Sequence, residues 1–120
     1  MTDPIAHAQE VRREHPAPEA GLLLTWVRHT ERSSTGVVDI SPGGGLKPHI
    51  HETHDEIVTI LEGSVEFRLG DDTFDATAGD VIPVPAGTVH APVHSAEGCL
   101  MISVFAPWFD PENPDRVFIN

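Results

Sequence analysis

The sequence has a single cysteine and few basic residues, and each shortage excludes a class of protein. Cys99 has no second cysteine with which to form an intrachain disulfide, so we expect a protein of the reducing cytoplasm. Seven lysines and arginines stand against nineteen aspartates and glutamates, which gives a formal net charge of −12. A surface of that sign repels nucleic acids and anionic membranes, and we therefore expect neither as a partner.

Long apolar segments, a targeting signal and tyrosine are also missing. No apolar run approaches the roughly 18 residues of a membrane-spanning helix. The first residues, 1–4, contain neither the basic nor the apolar region of a signal peptide, and we expect none. Because the chain has no tyrosine, the acid or base of any reaction must be histidine, glutamate, aspartate or water.

The distribution of residue types along the chain predicts one β-rich domain with two extensions. Residues 1–20 are polar and contain three prolines, which predicts an N-terminal arm with a short helix that begins at Asp3-Pro4 and ends near Glu14. Residues 21–106 contain short runs of β-branched and aromatic residues between turns, which predicts a sandwich or small barrel. Residues 107–120 are rich in proline and are expected to form an extended tail over the barrel or over a partner. The predicted strands are 22–28, 36–40, 49–51, 56–61, 64–69, 73–76, 81–85, a strand that starts near 90, and 100–105.

Three histidines and a glutamate have the pattern of a metal site. His49 and His51 are two residues apart, so both side chains point to the same face of a strand. Glu56 follows them, and a closed sheet can bring His90 alongside from a distant strand. Neutral imidazole is the commonest metal ligand, and a carboxylate adds the charge that holds a divalent cation. We predict that these four residues bind one metal ion and leave positions open for water, O2 or a bidentate substrate.

The spacing around these four residues resembles the two sequence motifs of the cupin superfamily. The matching residues of the first motif are Gly43, His49, His51, Glu56 and Gly63, and those of the second are Gly79, Pro85, Gly87 and His90. The chain is similar to a small single-domain cupin over about residues 20 to 106. It departs from the pattern at His94, where the second motif usually has asparagine.

The resemblance implies a fold, a cofactor and a range of reactions. The implied fold is an all-β double-stranded β-helix, a jelly-roll-like barrel, and the implied metal is Fe, Mn, Ni, Cu, Co or Zn, bound by the four residues above. Cupins act on small molecules, and an intact ligand set favours a metal-dependent enzyme with a small oxygen-rich substrate, similar to quercetin-type dioxygenases. Glu56 would then be both ligand and catalytic base. The alternatives are a non-oxidative cyclase, isomerase or decarboxylase, and a non-catalytic small-molecule-binding protein.

Strand parity and composition give expectations for the residues around this site. Asp55 should point outward beside Glu56, and His54 lies in a loop where we expect it to be solvated. His94 shares the parity of His90, which predicts a hydrogen-bonded core histidine too far away to bind the same ion. Arg28 is either a surface residue or a cation that pairs with an anionic substrate. The expected inward wall is Trp26, Arg28, Val58, Ile60, Phe67, Met101, Ser103 and Phe105.

The apolar residues of the tail lead to one expectation about assembly. They stand in an otherwise polar segment, and exposed apolar patches often mark contacts between proteins. We therefore expect a homodimer in which the tail contacts a second copy of the chain. The residues concerned are Trp108, Phe109, Val117, Phe118 and Ile119.

Overall fold

Strands account for about half of the described residues, one short helix is the other regular element among them, and the all-β fold expected from the sequence is confirmed. The computed structural model describes residues 4–119, so Asp3, the expected start of the helix, lies outside the described residues. No helix within this range is long and apolar enough to cross a membrane. The described elements are α1 (Ala8–Glu14), β1 (Leu22–His29), β2 (Ser34–Ile40), β3 (His49–Ile50), β4 (Asp55–Leu69), β5 (Asp72–Thr77), β6 (Val81–Val84), β7 (His90–His94), β8 (Cys99–Ala106) and β9 (Val117–Phe118).

The strands form two antiparallel sheets that share β4. One sheet has the order β1-β2-β8-β4-β6, and the other has the order β5-β4-β7-β3-β9. The first half of β4 pairs with β8 and β6, and its second half pairs with β5 and β7. Because one strand belongs to both sheets, the sheets curl around a common interior.

The continuous strand β4 differs from the two strands, 56–61 and 64–69, that the sequence predicts. Gly63 lies at the junction with a φ of 81°, a conformation that residues with a side chain rarely adopt. A Cβ atom at this position would also collide with the carbonyl oxygen of Gly98. The glycine therefore lets the backbone pass from one sheet to the other without interrupting the strand.

The apolar core fills the space between the two sheets. Alternate residues of β4 point inward, and Val58, Ile60, Val65 and Phe67 are each at most 2% exposed. Burial of side chains of this size contributes about 1.5–3 kcal/mol each. Cys99 lies in the same cluster as a buried apolar residue, and burial raises the pKa of its thiol to about 11.

The N-terminal arm is attached to the outside of its own barrel. In α1, Arg12 forms ion pairs with Asp39 of β2 (3.5 Å) and with Glu62 of β4 (3.1 Å). The amide of Ala17 donates a hydrogen bond to Asp39 Oδ2 (2.8 Å), and Gln9 donates one to Glu62 (2.9 Å). These contacts hold residues 9–17 against the first sheet.

The C-terminal tail lies over the barrel, which was one of its two expected positions. Its strand β9 pairs with β3, and the amide of Ile119 donates a hydrogen bond to the carbonyl oxygen of Pro48 (3.0 Å). Phe109 is 5% exposed and packs edge-on against His51 and in a tilted arrangement against Phe105. The tail thus becomes the outer strand of the second sheet and a cover for one end of the barrel.

The inward orientation predicted for His94 is wrong. The register between β4 and β7 shifts at Glu66/Phe67, where Phe67 pairs with Pro92 and Glu66 pairs with His94. Strand β7 therefore contains one extra residue, Val93, between these two pairs. After this bulge the side chains of β7 point to the face opposite to the one that simple alternation predicts. His94 shares the exposed face of Glu66 and is itself exposed.

Candidate metal centre

The structure brings the three predicted histidines together at one end of the barrel. His49 on β3 is paired directly with His90 on β7, and His51 follows β3 by one residue. One nitrogen from each ring can be chosen so that all three lie within 4.8 Å of one another. All three side chains are buried, with relative exposures of 1–5%. The pairing of two strands and the alternation along one of them are therefore enough to create the cluster.

The three imidazoles are held in the same orientation by main-chain carbonyls. Nδ1 of His49 donates to Lys47 O (2.9 Å), and Nδ1 of His90 donates to Thr88 O (3.0 Å). Nδ1 of His51 donates to the carbonyl oxygen of Asp115 (2.6 Å). A carbonyl oxygen only accepts, so each Nδ1 carries a proton. Each Nε2 therefore faces the cluster and is the atom available for ligation, as in metal sites whose ligands are oriented by an outer layer of hydrogen bonds.

Glu56 completes the cluster from β4. Its Oε1 lies 3.0 Å from Nε2 of His90 and 3.3 Å from Nε2 of His51. Its neighbour Asp55 points outward as expected and accepts a hydrogen bond from the amide of Ala86 (2.9 Å). Two nitrogen lone pairs and a carboxylate oxygen repel one another at such distances unless a proton or a cation lies between them. The donor set therefore fits a divalent metal ion.

Charge within the cluster follows from burial and from these contacts. Burial would raise the pKa of Glu56, but the hydrogen bonds with His51 and His90 lower it to about 2. Burial lowers the pKa of His49 to about 4, because the bond to Lys47 offsets only part of the cost of a buried charge. Burial also acts to lower the pKa of His51, yet Glu56 and the Asp115 carbonyl raise it above its usual value. At neutral pH the site therefore offers an ionised carboxylate and at least one neutral imidazole.

A cavity of about 410 Å³ opens beside the cluster, and most of the predicted wall lines it. Ile60 is an exception because it belongs to the core below the cavity. Arg28 is the other, because the register shifts between Trp26 and Arg28 and leaves this arginine on the surface. Its guanidinium donates to the carbonyl oxygens of Pro4 (3.0 Å) and Val27 (2.6 Å). The predicted residues that do line the cavity are Trp26, Val58, Phe67, Met101, Ser103 and Phe105.

The tail supplies lining residues that the sequence analysis missed. Phe109, Pro111, Pro114 and Arg116 border the cavity from the C-terminal side. The apolar character of the tail was visible in the sequence, but it was interpreted as a contact with a second copy. No sequence signal indicated that Arg116 rather than Arg28 would be the arginine of the cavity.

His54 joins the tail to the barrel and is buried, contrary to the expectation that it is solvated. Its Nδ1 lies 2.7 Å from Asp115 Oδ2, and its Nε2 lies 3.0 Å from the carbonyl oxygen of Trp108. The carboxylate of Asp115 also accepts hydrogen bonds from the amides of Glu52 (2.9 Å) and Thr53 (2.8 Å). Burial would raise the pKa of Asp115, but His54 and Thr53 lower it well below its usual value. These bonds fix the tail over the metal centre.

Comparison with known proteins identifies the family. A family model described as a cupin domain matches residues 36–105, which include all four candidate ligands. The chain belongs to the cupin family. The matched range of this cupin contains both predicted motifs and the strands that carry the histidine cluster.

Two curated relatives resemble this cupin in sequence. One is an uncharacterized protein of Aquifex aeolicus, 31% identical over 70 residues, which are 58% of this chain and 58% of the relative. The chain therefore matches little more than half of that relative's length. The other is an uncharacterized protein of Streptomyces coelicolor, 29% identical over 100 residues, which are 82% of this chain and 90% of the relative.

Solved structures share the fold of this cupin. A Klebsiella pneumoniae protein with a double-stranded β-helix domain superposes with a TM-score of 0.81 at 21% identity and covers 99% of both chains. KdgF from a Halomonas species superposes with a TM-score of 0.74 at 29% identity, over 84% of this chain and 94% of KdgF.

Some structural neighbours of this cupin are enzymes. An oxalate oxidase in complex with glycolate has a TM-score of 0.68 and 23% identity, over 82% of this chain and 55% of the oxidase. A nucleoside dehydratase has a TM-score of 0.68 and 21% identity, over 86% and 82%. At these identities the likeness concerns the fold alone.

Proposed function

We propose that this cupin is a metal-dependent enzyme that acts on a small oxygen-rich organic molecule, with His49, His51, Glu56 and His90 as the metal ligands. The observation that carries the proposal is the orientation of the three imidazoles. Every Nδ1 is bonded to a main-chain carbonyl, so the three Nε2 atoms converge, and two of them lie beside the carboxylate of Glu56. Three convergent ring nitrogens and a buried carboxylate are a donor set that suits a divalent transition metal.

A divalent transition metal held there would supply Lewis-acid or O2-activating chemistry. Glu56 is the residue that could take a proton from the substrate, because it is the carboxylate among the described lining residues of the cavity. The imidazoles of His51 and His90 orient its Oε1 toward the middle of the cluster.

The cavity wall supports an oxidative reaction as the first choice. Apart from the proposed ligands, the side chains with polar atoms that line the described cavity are Trp26, Ser103 and Arg116. An indole, a hydroxyl and a guanidinium are weak acids and bases and do not readily transfer a proton at neutral pH. Reactions that need a separate acid and base, such as isomerisation or dehydration, would have to use Glu56 for both steps. A dioxygenase or oxidase reaction requires fewer proton transfers from the protein.

The size and polarity of the cavity support a small substrate. About 410 Å³ lies within the range of small-molecule sites, and aromatic and aliphatic side chains make up most of its lining. The tail limits access of water, because Phe109 is buried against Phe105 above the cluster.

The second candidate function is a binding protein that holds metal and ligand without turnover, and its site would be the same.

Metal analysis combined with oxygen consumption tests the proposal. The untagged protein would be purified without added metal and analysed by mass spectrometry beside the His49→Ala and His94→Ala variants. We expect near-stoichiometric metal in the wild type and in His94→Ala, whose side chain is exposed, and its loss in His49→Ala. Metal-free wild-type protein that also fails to bind added Fe, Mn, Co, Ni, Cu or Zn would refute the metal centre.

The second stage separates the functions. The metal-loaded protein would be supplied with quercetin, acetylacetone and 2-oxo acids in an oxygen electrode, with product analysis by mass spectrometry. Oxygen uptake that is absent in His49→Ala would support the oxidative enzyme. Product without oxygen uptake would support a non-oxidative enzyme. Saturable binding without any product would support the binding protein.

A further inference from the structure

We infer that Arg116 is the specificity-determining residue of the cavity and binds a carboxylate at the end of the substrate that faces away from the metal ligands. The inference rests on the proposed function and extends it to a substrate class. The expected substrates are small acids with a metal-chelating oxygen pair at one end and a carboxylate at the other.

The backbone holds Arg116 in place on both sides. Before it, the side chain of Asp115 accepts hydrogen bonds from two main-chain amides and contacts His54. After it, Val117 and Phe118 form β9 and pair with β3, the strand that carries His49. An arginine between two such anchors presents its side chain to the cavity from a defined point, although the residue itself is exposed.

The guanidinium is connected to the histidine cluster through the ring of Phe118. Its central carbon lies 4.8 Å from the ring centre of Phe118, and that ring lies 5.8 Å from the imidazole of His49. Two contacts therefore link the cation to a proposed ligand. Stacking on the face of Phe118 steadies the guanidinium plane and leaves its N–H edges for a ligand.

Arg116 is unpaired in a chain with a large excess of acid. Among residues 4–119, no carboxylate lies within 4.0 Å of its guanidinium, whereas Arg12 and Arg13 both have carboxylate partners. The carboxylate beside it in sequence, Asp115, is engaged by His54 instead. What distinguishes Arg116 is its place in the cavity lining, where its positive charge can attract an external anion to a protein with a net charge of −12.

Charge balance within the occupied cavity favours an anionic substrate. A divalent ion beside the carboxylate of Glu56 leaves one positive charge, since neutral imidazoles add none. Arg116 adds a second positive charge to the lining, outside the set of proposed ligands. A substrate with a chelating acid group and a distal carboxylate neutralises both, and the fork of the guanidinium matches a carboxylate in two hydrogen bonds.

The test uses pairs of acids that share the chelating end and differ only in the distal group. The 2-oxo dicarboxylates oxaloacetate, 2-oxoglutarate and 2-oxoadipate would be compared with their distal amides by calorimetric titration into metal-loaded protein. The variants are Arg116→Gln, which removes the charge, and Arg116→Lys, which keeps the charge but loses the fork. Arg32→Gln, an exposed arginine outside the cavity lining, is the matched control.

We expect at least one acid to bind the wild type about 10- to 100-fold more tightly than its amide, the size of a charge-assisted hydrogen bond. Arg116→Gln should reduce this ratio to near one, Arg116→Lys should restore part of it, and Arg32→Gln should preserve it. Equal affinity for acid and amide, an unchanged ratio in Arg116→Gln, or no binding of any dicarboxylate would overturn the inference.

Metal content measured on the same samples separates this inference from the proposed function. Full metal occupancy with no preference for the acid would refute the role of Arg116 and leave the metal centre standing. Absence of metal from the wild type after reconstitution would refute the proposed function, and the inference about Arg116 would fail with it.

Discussion

The main-chain carbonyl of Asp115 accepts a hydrogen bond from Nδ1 of His51 over 2.6 Å, which joins the C-terminal tail to the candidate metal centre. The side chain of the same aspartate is bound by His54 and by the amide of Thr53. One residue of the tail therefore orients a proposed ligand through its backbone and is itself held in place through its side chain.

Replacement of Asp115 by alanine should weaken metal binding without removing any ligand. The carbonyl group remains, but the hydrogen bonds that fix it are lost, and loss of an outer-layer partner typically costs about 10- to 100-fold in metal affinity. The measurement is the dissociation constant of Mn2+ or Zn2+ by competition with a chromophoric chelator. Glu112→Ala, an exposed residue of the same tail, is the control and should bind metal as the wild type does. Equal affinity in both variants would show that the tail does not orient His51.

Glu56→Gln should lower metal affinity more than Asp55→Asn, although the two acids are neighbours. Glutamine keeps the volume of Glu56 but removes the negative charge that faces His51 and His90. Asp55 is exposed and bonds the Ala86 amide through an oxygen that asparagine retains. The measurement is the metal content of each variant after dialysis against chelators of increasing strength. If Glu56→Gln retained metal as firmly as Asp55→Asn, Glu56 would not be a ligand.

Acid should destabilise the metal-free protein through His49. The folded-state pKa of this histidine is about 4 against 6.5 for the free side chain, so between these values the unfolded chain binds a proton that the folded chain excludes. Stability contributed by the neutral ring is complete above pH 6.5 and is lost as the pH falls toward 4. The Glu56 contribution is lost only below about pH 4.5, toward its folded pKa of about 2.

The check is urea unfolding of chelator-treated protein at pH 7 and pH 5. The loss of unfolding free energy should be larger in the wild type than in His49→Gln, by about 1–2 kcal/mol, since each unit of pH in this window is worth about 1.4 kcal/mol. The raised pKa of His51 acts in the opposite direction but is common to both proteins. An equal loss in both proteins would contradict a neutral buried His49.

The sequence predicted the cluster because the spacing of its residues resembles the two cupin motifs. The common face of His49 and His51 follows from local alternation, whereas the pairing of His49 with His90 is long-range and was implied by the resemblance. The orientation of His94 depends on a bulge opposite Phe67, and hydrophobic alternation does not reveal a bulge. For the same reason the continuity of β4 through Gly63 could not be foreseen from two apolar runs.

Contacts between the tail and the barrel could not be predicted from the sequence, for a different reason. His54 and Asp115 are 61 residues apart, and each has a solvated alternative of equal plausibility in a chain with many charges. The choice between Arg28 and Arg116 as the cation of the cavity likewise depends on where the tail crosses the mouth. Such pairings are decided by tertiary packing and carry no periodic signal.

The expected homodimer remains to be tested, and the structure narrows the surface that could form it. Phe109 is buried in its own chain and can contribute little, whereas Trp108, Val117 and Phe118 are 44–46% exposed. We expect the wild type to have a dimeric mass in light scattering at micromolar concentration, with β9 at the contact. Val117→Lys should yield a monomer even though it reduces the net negative charge, because it removes apolar area from the contact. Val81→Lys, on an exposed valine of β6, should stay dimeric. A monomeric wild type would refute the homodimer, and dissociation by Val81→Lys alone would move the contact to the first sheet.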